Sequence, residues 1–225
     1  MPILLLKASI FFMKLFISSS NEALSLLSSK LPKKGKGAKV MFIANASDNI
    51  PGDHWWVKAD RDALVKLGCT INEIDFRKIS KADFTNAINS SDLIHFCGGS
   101  TLNLISTIKK AGIQDVISET VRKGKIMYSG TSAGSMIATD DMKLKLCKYD
   151  DEEKEMVKTI TDYTGLGLVN FLIIPHTNNK DFVESNKKMI EHLSDNPAAL
   201  IFINDSQAVW VEDKKFEILE INKFR

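Results

Sequence analysis

The sequence predicts an α/β fold, a mostly parallel sheet covered by helices on both faces. Two observations carry this. Short apolar runs alternate along the chain with longer amphipathic stretches, and parallel strands need such crossovers to be joined. Three of the runs stop at turns rich in chemistry: Gly98-Gly99-Ser100-Thr101, Gly130-Thr131-Ser132-Ala133-Gly134 and Pro175-His176. Parallel α/β sheets collect their chemistry at the carboxyl ends of strands. At 225 residues and 44% hydrophobic, the chain can bury one substantial core.

The elements follow in order. Residues 15–18 are an apolar opening strand, and 21–31 carry leucines at helical spacing. The apolar run 39–44 is a buried strand, joined through helix 55–67 to strand 70–75. Helix 81–89 leads to strand 93–97, which ends in the Gly-Gly turn. Helices 102–110 and 113–123, broken at Gly112, precede strand 126–129, and helix 133–139 leaves the glycine-rich turn. Strands 172–175 and 200–203 bracket helix 181–193. Strands 208–211 and 216–221 flank Glu212-Asp213-Lys214-Lys215 as a terminal hairpin. Residues 141–163 are the least regular. Their acidic run, Asp150-Asp151-Glu152-Glu153-Lys154-Glu155, reads as a solvated face, placed where it would also shape a pocket.

Composition narrows the function. Lys plus Arg (30) nearly balances Asp plus Glu (28), which points to no polyanionic partner. The basic cluster Lys33-Lys34-Gly35-Lys36-Gly37 lacks interleaved aromatics and reads as an exposed loop, so no nucleic acid is expected. Three cysteines without CxxC spacing fit a reduced, cytoplasmic protein without structural disulfides. Residues 1–12 resemble a secretory apolar region, but Lys7 interrupts the run and no basic segment precedes it. They are expected to be an N-terminal extension, a cleaved signal being the weaker alternative. No repeat or linker divides residues 13–225, which are expected to form a single catalytic domain, with no membrane span.

The Gly-x-Ser-x-Gly turn holds a serine at a strained strand-to-helix junction, where the helix N-terminus adds positive potential and free N–H groups. Ser132 is therefore the candidate nucleophile and His176 its general base. Gly98, Gly99 and Ala133 are candidate oxyanion donors. Cys97 could pass for a nucleophile but reads better as a buried strand residue. The base needs a carboxylate on its other ring nitrogen. Asp205 sits at a turn expected on the same sheet edge as His176, and Asp141 follows the nucleophile's helix. Strand-end geometry favours Asp205, and Asp141 could instead cap a helix or bind a substrate amine. His95 reads as a hydrogen-bonded core residue, His54 as a cap or pocket residue and His192 as surface. No His/Cys/Asp grouping has metal-ligand spacing, so neither metal nor other cofactor is expected.

Jointly, Gly98-Gly99-x-Thr101, Gly130-Thr-Ser-Ala-Gly-Ser135 and Leu166-Gly-Leu-x-x-Phe-x-x-x-Pro-His176 resemble the peptidase E family, serine peptidase family S51. The resemblance runs from about Met13 to the C-terminus. It implies a fold related to class I glutamine amidotransferases, which carry cysteine where this chain has Ser132. It also implies a serine exopeptidase cutting short peptides, dipeptides above all, through an acyl-enzyme, as a monomer or homodimer. Ser100 and Thr101 would contact substrate, although Ser100 replaces the family's asparagine. Asp140-Asp141-Met142 resembles the family's Asn-Asp-Met, while relatives carry Glu or Asp at the position of Asp205. Aspartyl dipeptidases hold the acidic substrate side chain with an arginine soon after the histidine. Residues 177–193 contain only Lys180, Lys187 and Lys188, and lysine lacks arginine's planar grip, so strict selection of N-terminal aspartate is not expected. The alternatives are an esterase-type serine hydrolase and a catalytically silent binding protein on the same fold.

Overall fold

The computed structural model describes residues 12–140, 143–193 and 199–222. Among them nine strands form, in chain order: β1 Lys14–Ser18, β2 Lys39–Ile43, β3 Thr70–Glu73, β4 Leu93–Phe96, β5 Met127–Thr131, β6 Phe171–Ile174, β7 Ala199–Phe202, β8 Gln207–Glu212 and β9 Lys215–Glu220. The helices are α1 Trp55–Lys66, α2 Lys81–Asn89, α3 Thr101–Lys110, α4 Gln114–Arg122, α5 Ala133–Met136, α6 Lys154–Val157 and α7 Val183–Glu191.

The main sheet has seven strands in the order β3-β2-β4-β5-β1-β8-β9. The first five run parallel, and β8 and β9 add an antiparallel hairpin beside β1. Side chains on a strand alternate between faces, and the core divides accordingly. Leu15, Ile17, Met41, Ile43, Ile94, Phe96 and Tyr128 point to one face, where Phe84, Ile105, Ile117 and Met136 bring in α2 to α5. Phe16, Val40, Phe42, Leu93 and Met127 point to the other, covered by Leu24, Leu27 and Leu64. Full burial of each such side chain is worth about 1.5–3 kcal/mol. This doubly covered, mostly parallel sheet is the fold expected from the alternation of elements.

Three details depart from the sequence reading. Asn21–Ser29 winds as tight 3-10 turns rather than an α-helix. The Ser25 and Ser29 hydroxyls donate to the carbonyls of Glu22 and Leu26, local bonds that compete with α-helical pairing. Next, β6 and β7 form a separate two-stranded parallel sheet. Both edges of β1 are taken by β5 and β8, so β6 cannot join there, and a bridge from Thr139 to Val169 anchors the pair instead. Finally, α5 stops at Met136, because Thr139 and Asp140 turn away to pair with Val169. Apart from Phe12, the expected extension lies outside the described residues, as does Asp141. No helix among the described residues is long and apolar enough to cross a membrane.

Candidate active site

β5 delivers its last residue, Thr131, to a turn at which Ser132 adopts φ 48°, ψ −112°. A positive φ in a non-glycine residue costs about 1–3 kcal/mol and persists only where its surroundings enforce it. Here the Ser132 N–H lies 3.1 Å from both the Ser18 and Ser19 carbonyl oxygens. The flanking glycines are obligatory. A Cβ at Gly130 would stand 2.3 Å from the Gly134 carbonyl oxygen, and one at Gly134 would stand 2.1 Å from that of Phe96. The buried Tyr128 hydroxyl donates to the Gly134 carbonyl and fastens the helix start to the strand.

His176 follows β6 at φ 59°, 9% exposed. Its Nε2 is 2.9 Å from the Ser132 Oγ and its Nδ1 is 2.6 Å from Asp205 Oδ1. The Phe182 ring stacks on the imidazole, with centroids 4.2 Å apart. Asp205 lies in the turn between β7 and β8. It is held by Ser20, which donates to its carbonyl at 2.9 Å, and by Asn178, whose side-chain oxygen accepts its N–H at 3.0 Å. Burial alone would raise the Asp205 carboxyl, but hydrogen bonds from His176, Ser19 and Asn179 outweigh it and leave the carboxyl below its ordinary value. The fold brings Asp205 to the histidine; Asp141, the other candidate, lies outside the described residues.

The Gly98-Gly99 turn packs beside the serine. A Cβ at Gly98 would come within 3.2 Å of the Ser132 Cβ, and one at Gly99, where φ is 134°, would stand 2.5 Å from the Ala46 carbonyl oxygen. The Gly98 carbonyl accepts from the Ser47 hydroxyl at 3.2 Å and shares the Trp56 indole N–H, which lies 3.2 Å from it and 2.9 Å from the Ser47 Oγ. In a trans peptide the following N–H points the opposite way, so these two donors fix where the Gly99 N–H is aimed. Neither the Gly99 nor the Ala133 N–H has an acceptor among the described residues.

Ser100 and Thr101 do not offer their hydroxyls to a substrate. Both are 4% exposed. Ser100 donates to Glu153 at 2.6 Å and caps α3 by accepting the Asn103 N–H, while Thr101 faces the Met136 sulfur at 3.5 Å. Glu153 is itself a correction to the solvated reading of the acidic run. It is 3% exposed and accepts the Leu102 N–H at the start of α3. Burial pushes its carboxyl up to about 7, against the pull of the Ser100 and Leu102 hydrogen bonds.

Cys97 is fully buried, and burial with the nearby Asp60 carboxylate pushes its thiol well up, which removes the thiolate a nucleophile needs. The fold gathers Asp60, His95 and Cys97 within 4.8 Å, a grouping that sequence spacing did not reveal. Their polar atoms are spent locally. His95 bonds Asp60 at 3.3 Å and Ser129 at 3.0 Å, and Thr131 donates to Asp60, a network that braces the strand under the elbow. His54 bonds the Ile50 carbonyl at 2.7 Å, and His192 stacks on Tyr149.

Beside His176 opens a cavity of about 310 Å³, lined by Ile174, Val183, Ile190 and Phe202 with Lys187 and Glu191 among its polar residues. Lys187 lies 3.9 Å from Glu191, and Lys188 pairs with Asp151. Arg61 is engaged by Glu73 and Arg77 by Asp75. Sequence reasoning missed Ser19, Trp56, Phe182 and Glu153. Only Trp56 offered a signal, its place beside His54 and Trp55 at a helix start.

Residues 15–219 match the profile of Peptidase family S51. An uncharacterized peptidase, Lmo0363, of Listeria monocytogenes serovar 1/2a is 29% identical over 89% of this chain and 95% of its own. An uncharacterized peptidase, PM1590, of Pasteurella multocida is also 29% identical, over 87% and 96%. A crystal structure of a provisionally assigned peptidase E protein from Listeria monocytogenes EGD-e superposes with a TM-score of 0.82 at 27% identity, covering 94% of this chain and all of that one. A peptidase from an acI-B1 actinobacterium shares the fold at TM-score 0.66 and 18% identity, over 94% of this chain and 89% of that one. With the profile matched from β1 to β9, the chain belongs to peptidase family S51.

Proposed function

We propose that this peptidase is a serine exopeptidase that hydrolyses short peptides, dipeptides foremost, through an acyl-enzyme on Ser132. The observation that carries the reading is the hydrogen-bonded line from Ser132 Oγ through His176 to Asp205, at 2.9 and 2.6 Å. Ser132 Oγ attacks the scissile carbonyl carbon while its proton passes to His176 Nε2. Asp205, ionised across the neutral range, stabilises the imidazolium so formed. The oxyanion is received by the Gly99 and Ala133 N–H groups, with Gly98 leaving the space. Collapse breaks the C–N bond and His176 returns the proton to the departing amine. Water then repeats the sequence on the ester and releases the acid.

The cavity beside His176 supports a substrate side chain that is neutral or apolar. Its walls are aliphatic and aromatic, and its one lysine is an exposed point charge near Glu191. Such a charge attracts a carboxylate weakly and is screened by salt, unlike a desolvated bidentate arginine. The three buried free cysteines support a reducing, cytoplasmic setting. Peptides, rather than nucleic acid or membrane, are the proposed partners, with the enzyme a monomer or homodimer. The test is hydrolysis of Asp-Leu, Asn-Leu and Ala-Leu at low and high ionic strength, with a simple ester alongside. Modest, salt-sensitive discrimination between the dipeptides is expected. A large preference for Asp-Leu that salt leaves untouched would refute the specificity, and cleavage of the ester alone would refute the peptidase reading.

A further inference from the structure

Ser19 lies one residue past β1, is fully buried, and touches all three residues of the proposed triad. Its carbonyl oxygen accepts the Ser132 N–H at 3.1 Å. Its hydroxyl oxygen accepts the His176 backbone N–H at 2.7 Å and lies 3.5 Å from His176 Nδ1. Its hydroxyl proton goes to Asp205 Oδ1 at 2.8 Å. The neighbouring serines are differently employed: Ser18 donates to the Gly130 carbonyl, and Ser20 donates to the Asp205 carbonyl and caps Glu22.

The bonding leaves little freedom. A serine hydroxyl has one proton and acceptor lone pairs. The His176 N–H can only donate, so it occupies a lone pair, and the proton is left for Asp205. Oδ1 of Asp205 then receives two donors, the Ser19 hydroxyl and the His176 ring. Two converging donors fix the rotation of the carboxylate, which in turn fixes the imidazole plane. The His176 backbone, held at φ 59°, hangs on the same hydroxyl. Resting on the triad reading above, we infer that Ser19 is the positioning residue of this active site, tying Asp205 and His176 to the strand end that holds Ser132.

Loss of the hydroxyl has two separable effects. The loosened geometry slows acylation. Asp205, relieved of one donor, binds the imidazolium more strongly, so the acidic limb of the rate profile moves to higher pH. The test measures the rate at which a fluorophosphonate labels Ser132, across the neutral range, so no substrate need be known. The proteins are wild type, Ser19→Ala, Ser19→Cys, Asp205→Asn and the Ser19→Ala/Asp205→Asn double variant. Ser19→Ala is expected to slow labelling about tenfold, the worth of one hydrogen bond to a charged group, and to raise the acidic limb. In the Asp205→Asn background the same change should cost clearly less than about tenfold, since the share exerted through Asp205 is gone and only the support of the His176 backbone N–H remains. Equal losses in both backgrounds with an unmoved acidic limb would overturn the inference and leave Ser19 a packing residue. Should Ser19→Ala not fold, the nearly isosteric Ser19→Cys, a weaker donor, reads the same two quantities. Failure of wild type to label at Ser132 would be a different result, removing the triad reading and this inference with it.

Discussion

Replacing Glu153 with glutamine is expected to change how stability depends on pH. The carboxyl is 3% exposed at the N-terminus of α3, with no cation bonded to it among the described residues, and burial raises it from 4.5 to about 7. Below about pH 4.5 it is protonated in both folded and unfolded chains and carries no penalty. As pH rises toward 7 the unfolded chain ionises first while the folded one keeps its proton, so the folded state progressively loses stability. Above the folded value the loss is complete, at about 3 kcal/mol for a shift of this size. From about pH 5 to about pH 8 the change is roughly 2 to 3 kcal/mol. Glu153→Gln removes the ionisation while keeping an acceptor for Ser100 or Leu102. Urea unfolding of both proteins across this range isolates the effect, because other titrating groups cancel in the difference. The stability gap should move by roughly 2 to 3 kcal/mol in favour of the variant as pH rises. A gap constant to about 0.5 kcal/mol would refute the reasoning, as would one moving the other way.

The remaining predictions concern the elbow and its neighbours. Ser132→Ala should lower kcat by about three or more orders of magnitude and abolish fluorophosphonate labelling. Its thermal melting should stay close to that of wild type, because the hydroxyl is not a packing group; an active variant would reject the nucleophile. Trp56→Phe keeps the ring but loses the indole donor to Gly98, so kcat should fall about tenfold with KM nearly unchanged. A rise in KM alone would instead place Trp56 in substrate binding. Gly134→Ala sets a methyl 2.1 Å from the Phe96 carbonyl oxygen, and should cost more than about 3 kcal/mol in urea unfolding or prevent soluble expression. Near-wild-type stability would show that the elbow is looser than described.

Much of this was legible in the sequence, and the exceptions share a cause. Apolar runs and glycine punctuation are local, so the strands, the mostly parallel character of the sheet and the three site turns could be read directly. Where β6 pairs is decided by which sheet edges are already occupied, and nothing within Phe171–Ile174 encodes that. The acidic run has no hydrophobic period to say that Glu153 turns inward. Ser100 reads as a substrate contact from its motif, yet its hydroxyl is consumed by a carboxylate 53 positions away. Ser19 sits in Ser18-Ser19-Ser20, which reads as a polar loop start, and its role depends on His176 and Asp205, 157 and 186 positions distant.

The two strained backbones explain why the site stands where it does. Ser132 and His176 both hold positive φ, and neither would keep it if the chain around it could relax. Both are tied to the carboxyl end of β1, Ser132 through the Ser18 and Ser19 carbonyls and His176 through the Ser19 hydroxyl. β1 is interior to the sheet, hydrogen-bonded to β5 on one side and β8 on the other, with Leu15, Phe16 and Ile17 fully buried. An edge strand could give way to such strain by shifting its backbone; a strand paired on both edges and packed on both faces cannot do so without breaking a ladder. The hairpin β8–β9 therefore does more than close the sheet. By pairing with β1 it stiffens the strand end on which the elbow and the histidine hang, and the turn that leads into it carries Asp205 to the histidine. One antiparallel addition thus supplies both the support for the strain and the carboxylate that meets the histidine ring.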